Sequence, residues 1–236
     1  MSLKPTDEFD SACRAQGVEF DAGEVERLGA FLSFLLETNE RFNLTAVTDP
    51  AAAWMRHIFD SLTLFPPLSE VLDEGARVID VGSGGGLPGI PLAIVMPSVH
   101  FTLLEATGKK AAFLREAAAK LGLANVTVLE ARSEKAGQDP AHRERYDAAT
   151  ARAVGPMSVI AELTVPLVKI GGRVFLIKGQ KAEEELAAAR KALHLLHARH
   201  ETTLDTPTGK IVVLDKQRKT PAAYPRRDGE PKKAPL

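Results

Sequence analysis

Three features of this chain predict an α/β fold, a mostly parallel sheet with helices on both faces. From Ala76 onward, short runs rich in Val, Ile and Leu alternate with helical segments, the pattern of strands joined by right-handed crossovers. The first run, Arg77 to Val81, stops in a turn of bare glycines, and such turns sit where doubly wound sheets bind nucleotide cofactors. Ahead of it, residues 1–70 carry apolar residues at helical rather than alternating spacing.

Taken in order, Asp21 and Glu24 have the spacing of a capping box, and Val25, Leu28, Leu32, Leu35 and Leu36 recur on one helical face. Asp49-Pro50 supplies an N-cap with proline at the first helical position. That predicts a second helix running to about Leu64, ended by Pro66-Pro67. Residues 1–70 are thus expected to form a helical cap, and residues 71–216 the core. Strands are expected at 77–81, 100–105, 126–130, 146–151 and 173–178, with helices near 87–95, 108–121, 156–168 and 181–196. Thr208-Gly209 separates residues 199–206 from Ile211-Val212-Val213-Leu214, which predicts two closing strands of antiparallel sense. Residues 217–236 hold five Pro or Gly and are expected to be an extended appendage.

Composition sets outer bounds. Hydrophobic residues make up 44% and charged residues 26%, ordinary for a globular chain. There is no apolar run long enough to span a bilayer and no leader-like N-terminus, so a cytoplasmic monomer without a membrane partner is expected. Cys13 is the single cysteine, which excludes an internal disulfide and a Cys-rich metal site. His194, His197 and His200 have no carboxylate or thiol partner at metal spacing, so no metal is expected. The net charge of −1 hides an asymmetry. Residues 1–30 set three basic residues against seven acids, whereas residues 216–236 set seven basic residues against two. That basic end is either a solvated tail or a grip for a polyanion.

The glycine turn reads Asp80-Val81-Gly82-Ser83-Gly84-Gly85-Gly86. Gly84-x-Gly86-x-x-Gly89 satisfies the dinucleotide pattern, which alone is weak. An acid directly before Gly-x-Gly-x-Gly resembles motif I of class I S-adenosylmethionine-dependent methyltransferases. A carboxylate beside a diphosphate is repulsive, so Asp80 tilts the choice toward a cationic cofactor, although the glycines exclude neither. The second strand ends in Glu105, where an acid accepts hydrogen bonds from ribose hydroxyls in either family.

Several motifs then follow one another in a fixed order. They are Asn43-Leu44-Thr45, Arg56-His57-Ile58-x-Asp60-Ser61, Asp80 through Leu92, Gly108-Lys109-Lys110, Phe113-Leu114-Arg115, Ala151-Arg152-Ala153 and Leu176-x-Lys178-Gly179. Together they resemble the bacterial small-subunit ribosomal RNA methyltransferases called RsmG, formerly glucose-inhibited division protein B, over roughly residues 25–215. The resemblance implies a class I, Rossmann-like methyltransferase core and methyl transfer from S-adenosyl-L-methionine to N7 of one guanine in 16S ribosomal RNA. It also implies that Asp80, Gly82, Gly84, Gly86 and Leu87 surround the methionine end. Glu105, Ala106 and Thr107 would take the ribose, Ser133 and Glu134 the adenine, and Arg152 would sit beside the reacting centre. Glu105-Ala106-Thr107 departs from the Asp-Ser-Leu of many members, but keeps the acid.

Guanine N7 carries a free lone pair on the major-groove edge and needs no deprotonation, so alignment is the main demand on the protein. The chain fits that demand, since Ala151-Arg152-Ala153-Val154 stands where amino-group methyltransferases carry an Asn/Asp-Pro-Pro-Tyr/Phe segment. Asn43, His57 and Arg152 are the candidate catalytic residues. Arg152 is expected on a phosphate or the cofactor carboxylate, with an ion pair to Asp80 or Glu162 as the alternative. Helical spacing pairs Arg56 with Asp60 and His57 with Ser61 as two polar rows. A phosphate track is expected from Arg56, Lys109, Lys110, Lys178, Lys216, Arg218, Lys219, Arg226 and Arg227. Other readings stay open: a methyltransferase acting on a protein or small molecule, or a nucleotide-binding regulator without catalysis.

Overall fold

The computed structural model describes residues 2–236. Seven strands form one sheet in the order β3-β2-β1-β4-β5-β7-β6. They are β1 (Arg77–Val81), β2 (His100–Glu105), β3 (Val126–Glu130), β4 (Tyr146–Arg152), β5 (Val168–Lys178), β6 (Ala198–Thr206) and β7 (Gly209–Lys216). The first five run parallel, and β7 joins β5 antiparallel before β6 closes the edge as a hairpin partner. The chain order reverses between β1 and β4, and a crevice opens at the carboxyl ends of strands at such a switch point.

Alternation along the strands sorts side chains onto two faces. Val78, Phe101, Leu103, Ala148, Phe175 and Val213 enter one apolar cluster, with the N-terminal helices above them. Ile79, Val81, Leu104, Ala149, Ala151, Val174 and Leu176 enter a second cluster on the opposite face. The first face is covered by α1 (Asp7–Ala15), α2 (Glu24–Asn39), α3 (Pro50–Ala53), α4 (Asp60–Leu62) and α5 (Phe65–Ser69), then by α6 (Gly89–Val95) and α7 (Gly108–Lys120). The second face carries α8 (Ser133–Ala136), α9 (Met157–Thr164), α10 (Ala182–Ala188) and α11 (Arg190–Leu196).

Four helix expectations change. The helix α1 was not expected; Thr6 caps it through Phe9 N–H, and Phe9 packs against Trp54 with ring centres 4.6 Å apart. Its polar face is acidic, which masked the two apolar anchors Phe9 and Cys13. The helix from Pro50 widens into π turns over Trp54–Phe59 before α4, so spacing by four fails there. Pro66 and Pro67 do not end a helix but open α5, where their missing N–H groups cost nothing. The segment expected at 181–196 divides at Ala189 into α10 and α11.

The largest change concerns residues 217–236. This stretch is no loose appendage; it folds back across α8 and ends in α12 (Glu230–Lys233). The Arg143 guanidinium donates to the carbonyls of Thr220, Pro221 and Tyr224, and Gln138 Nε2 donates to those of Ala222 and Pro225. Arg226 forks onto Glu162 at 2.6 and 2.9 Å, and that carboxylate is fully buried. The basic residues are therefore partly counterions of interior acids.

Candidate active site

At the end of β1 the chain turns at Gly82, whose φ of +75° suits only glycine; a Cβ there would stand 3.0 Å from Val154 Cγ2. Gly82 and Ser83 both donate their N–H groups to Leu104 O, which hangs the turn from the end of β2. Gly84 N–H donates to Glu105 Oε2 at 3.0 Å, and Thr107 N–H to Oε1 at 2.7 Å. Each carboxylate oxygen holds one backbone donor and retains another lone pair. Glu105 is thus both a brace for the turn and an acceptor at the cleft.

Asp80 lies elsewhere than expected. It is fully buried beneath the turn, with Oδ1 accepting from Thr150 Oγ1 at 3.0 Å and Oδ2 from Gly89 N–H at 3.3 Å. Burial pushes its carboxyl up to about 6, against the pull of those hydrogen bonds. It ties β1, β4 and the start of α6 together and turns no oxygen toward the cleft.

The cleft itself measures about 230 Å³. Gly82, Glu105, Ala106, Ser133 and Glu134 line it, with Val154, Val159 and Leu163 as an apolar wall. Gly84, Gly86, Leu87, Thr107 and Arg152 do not line it. Gly84 and Gly86 shape the turn instead, and a Cβ on Gly86 would meet Ile90 Cδ1 at 2.6 Å. Leu87 is buried beneath, and Arg152 points toward the cap. Ser133 Oγ donates to Leu163 O, and Glu134 Oε1 accepts from Gly229 N–H at 2.8 Å. Gly229, Pro231 and Lys232 complete the lining. Reading the last twenty residues by their charge hid that contribution; only their Pro and Gly content hinted at a turn.

The cap meets the same turn. A Cβ on Gly85 would lie 3.1 Å from Leu35 Cδ1 and 3.5 Å from Leu44 O, so the loop carrying Asn43 rests on the glycines. Asn43 is exposed there. Asn39, which sequence reasoning missed, accepts from the N–H groups of Leu44 and Thr45 at 2.7 and 2.9 Å and fixes the loop. His57 Nε2 lies 2.7 Å from Thr45 Oγ1, and its Nδ1 has no partner among the described residues. The ring is 5% exposed. Its burial, with the Arg152 charge nearby, pushes the imidazole down to about 4. His57 is therefore a neutral strut at pH 7.

Arg152 Nη1 donates to Asp60 Oδ2 at 2.9 Å and to Arg56 O at 2.9 Å. Its partner is neither Asp80 nor Glu162. The expected Arg56–Asp60 row gives way because the π turns shift the register, with Asp60 N–H reaching back to Met55 O. Ser61 Oγ likewise bonds His57 O rather than the ring. The pair thus locks the cap to the end of β4.

The basic candidates divide. Arg56, Lys109, Arg218, Lys219 and Arg227 are exposed, and Lys110 is half-buried. Lys216 is removed from a surface track: it is 1% exposed, with Nζ on Glu144 Oε1 at 2.8 Å and Val168 O at 2.7 Å. Lys178 Nζ binds Gly155 O at 2.8 Å and Glu185 at 2.6 Å, bracing the loop that lays Val154 over Gly82. Arg226 is committed to Glu162. Protein acceptors outcompete solvent for each of these cations: the fully buried Glu162 for Arg226, and the half-buried Glu144 and Glu185 for Lys216 and Lys178.

Among the described residues no helix is long and apolar enough to cross a membrane. Among the described residues no group of three or more His, Cys, Asp or Glu could hold a metal ion. Among solved structures, a Corynebacterium glutamicum protein matches 89% of this chain and 97% of its own at a TM-score of 0.57 and 14% identity. A variant of MtNAS solved in complex with S-adenosylmethionine matches 89% and 84% of the two chains at a TM-score of 0.54 and 14% identity. At those identities the likeness shows the fold alone. The family model for rRNA small subunit methyltransferase G matches residues 24–212. A Sorangium cellulosum ribosomal RNA small subunit methyltransferase G is 49% identical over 95% of this chain and 93% of that protein. Its Leuconostoc citreum counterpart is 39% identical over 97% and 98%. The chain belongs to the ribosomal RNA small subunit methyltransferase G family.

Proposed function

We propose that this protein transfers a methyl group from S-adenosyl-L-methionine to N7 of one guanine in 16S ribosomal RNA, in the bacterial cytoplasm. The names of the relatives supply the substrate class. The observation that carries the cofactor assignment is the Glu105 carboxylate: it holds Gly84 and Thr107 N–H groups and still lines the cleft beside bare Gly82. Those residues fit the group. Glu105 would accept the ribose hydroxyls, Gly82 would allow close backbone approach, and Val154, Val159 and Leu163 would cover the adenine.

When bound, the cofactor supplies an electrophilic methyl group on a cationic sulfonium. The nucleophile brings its own lone pair, so the chain has no proton to remove before attack. Its work is to hold the base in line and exclude water. His57, neutral and bonded to Thr45, sets the loop that presents Asn43 over the glycine turn. Arg152 spends its charge on Asp60, which suits a site where both the methyl donor and the product base are cationic. Arg56, Lys109, Lys110, Arg218, Lys219 and Arg227 are left to meet phosphates.

The test uses small-subunit RNA from cells lacking this gene and a tritium-labelled methyl donor. One label per RNA is expected, at a guanine whose glycosidic bond has become labile to borohydride and aniline. Label on an exocyclic amine, on ribose or on protein would overturn the reading.

A further inference from the structure

We propose that residues 220–236 form a wall of the cofactor cleft, with Pro231 packing on the adenosine half and the Gly229 N–H holding Glu134. This rests on placing S-adenosyl-L-methionine in the cleft beside Gly82. The cleft lining joins two remote parts of the chain: Glu105, Ala106, Ser133 and Glu134 from the strand ends, and Gly229, Pro231 and Lys232 from the last turn. Glu134 is 7% exposed, and its Oε1 accepts from Gly229 N–H at 2.8 Å. Pro231 is buried. With no N–H to satisfy, its ring can face an apolar or aromatic ligand at no hydrogen-bonding cost.

The wall is anchored at several points. Arg143 takes three carbonyls of residues 220–224, and Gln138 takes two more up to Pro225. Pro225 also packs on Gly137, where an added Cβ would come within 2.7 Å of Pro225 Cγ. Arg226 then pins the stretch to Glu162 of α9, the helix whose Val159 and Leu163 form the opposite wall. One carboxylate thus ties the two sides of the cleft to each other. Arms built to reach RNA expose their cations and leave their backbone to solvent; here the backbone is bound and a ring is turned inward. The cations left outside, such as Arg227 and Lys233, are exposed.

Calorimetry with S-adenosylhomocysteine and 5′-methylthioadenosine on the full chain tests this. Pro231→Ala should raise Kd for both ligands by the same factor, roughly ten-fold, because the loss falls on the half they share. Pro231→Phe, which fills rather than opens the cleft, should raise it further. The unligated melting temperature of both variants should stay within a few degrees of the parent, since the Arg143, Gln138 and Arg226 anchors are left in place. If the parent binds neither ligand, the cofactor reading of the cleft fails. If the parent binds and both variants match it within two-fold, the wall is refuted while that reading stands. A loss for S-adenosylhomocysteine but not for 5′-methylthioadenosine would also refute it.

Discussion

Two buried titratable groups, one in the cap and one beneath the glycine turn, should oppose each other's effect on stability, and removing either should expose the other. The folded state holds Asp80 as an acid near 6 rather than its ordinary 3.8, and His57 as a base near 4 rather than 6.5. For Asp80 the folded form binds its proton more tightly, so stability falls as pH rises from about 4 to 6. For His57 the unfolded form binds the proton more tightly, so stability rises with pH over nearly the same window. At about 1.4 kcal/mol per pH unit, each group changes stability by about 2 kcal/mol between pH 4.5 and 6.5, with opposite sign. Glu144, Asp147 and Glu201 are all held below the ordinary carboxylate range by lysine or arginine partners, so their losses come at lower pH. Urea denaturation at half-unit steps across that window is the assay. The parent should vary less than either variant, with a residual fall as pH rises that comes from Glu24, whose carboxyl burial also pushes up. Asp80→Asn should gain about 2 kcal/mol with rising pH, and His57→Gln should lose about as much. Parallel profiles for all three proteins would refute the reasoning.

Arg152→Ala leaves the Asp60 carboxylate buried without its cation and should destabilise by about 3 kcal/mol, whereas the Arg152→Ala, Asp60→Ala double variant should recover part of that; additive losses in a thermal cycle would show that the pair does not couple. Lys216→Met should cost about 1–3 kcal/mol in denaturant melts, because the buried Val168 carbonyl loses its donor and Glu144 its ammonium, and should leave the salt slope of RNA binding unchanged. Replacing Lys109, Lys219 and Arg227 together should instead flatten that slope by about two to three phosphates' worth, and an identical slope would take those cations off the RNA.

The sheet was legible in the chain because its signals are local. Alternation fixes which of Val78 and Ile79 faces which cluster, and Gly82 declares a positive φ that no other residue tolerates well. All five parallel strands fall within a few residues of where periodicity sets them, except that β5 begins at Val168, ahead of the paired glycines. The two closing strands pair antiparallel as Thr208-Gly209 implied. Element type survives single-sequence reasoning when a period is repeated, and it fails where one residue carries the information. The π turns at Trp54–Phe59 leave no mark in composition, yet they redirect Asp60 from Arg56 to Arg152.

Charge was the least legible property, for a physical reason. A lysine in a sequence states a sign and a reach, not a partner, and the partner is set by which charges the fold buries. Glu144 and Glu162 lie in segments with no motif of their own; the buried Glu162 carboxylate takes Arg226, and the buried Lys216 ammonium takes the half-buried Glu144. The same logic runs through Asp80. Its charge beside the glycines was read as an invitation to a cationic ligand, whereas it is fully buried beneath the turn on Thr150 and Gly89 and does not line the cleft. The acid that meets the cleft is Glu105, because two short backbone bonds at the rim leave its remaining lone pairs pointing outward. A carboxylate at a strand end binds ligand when the fold stops short of satisfying it, and a cation binds RNA when no interior acid has claimed it.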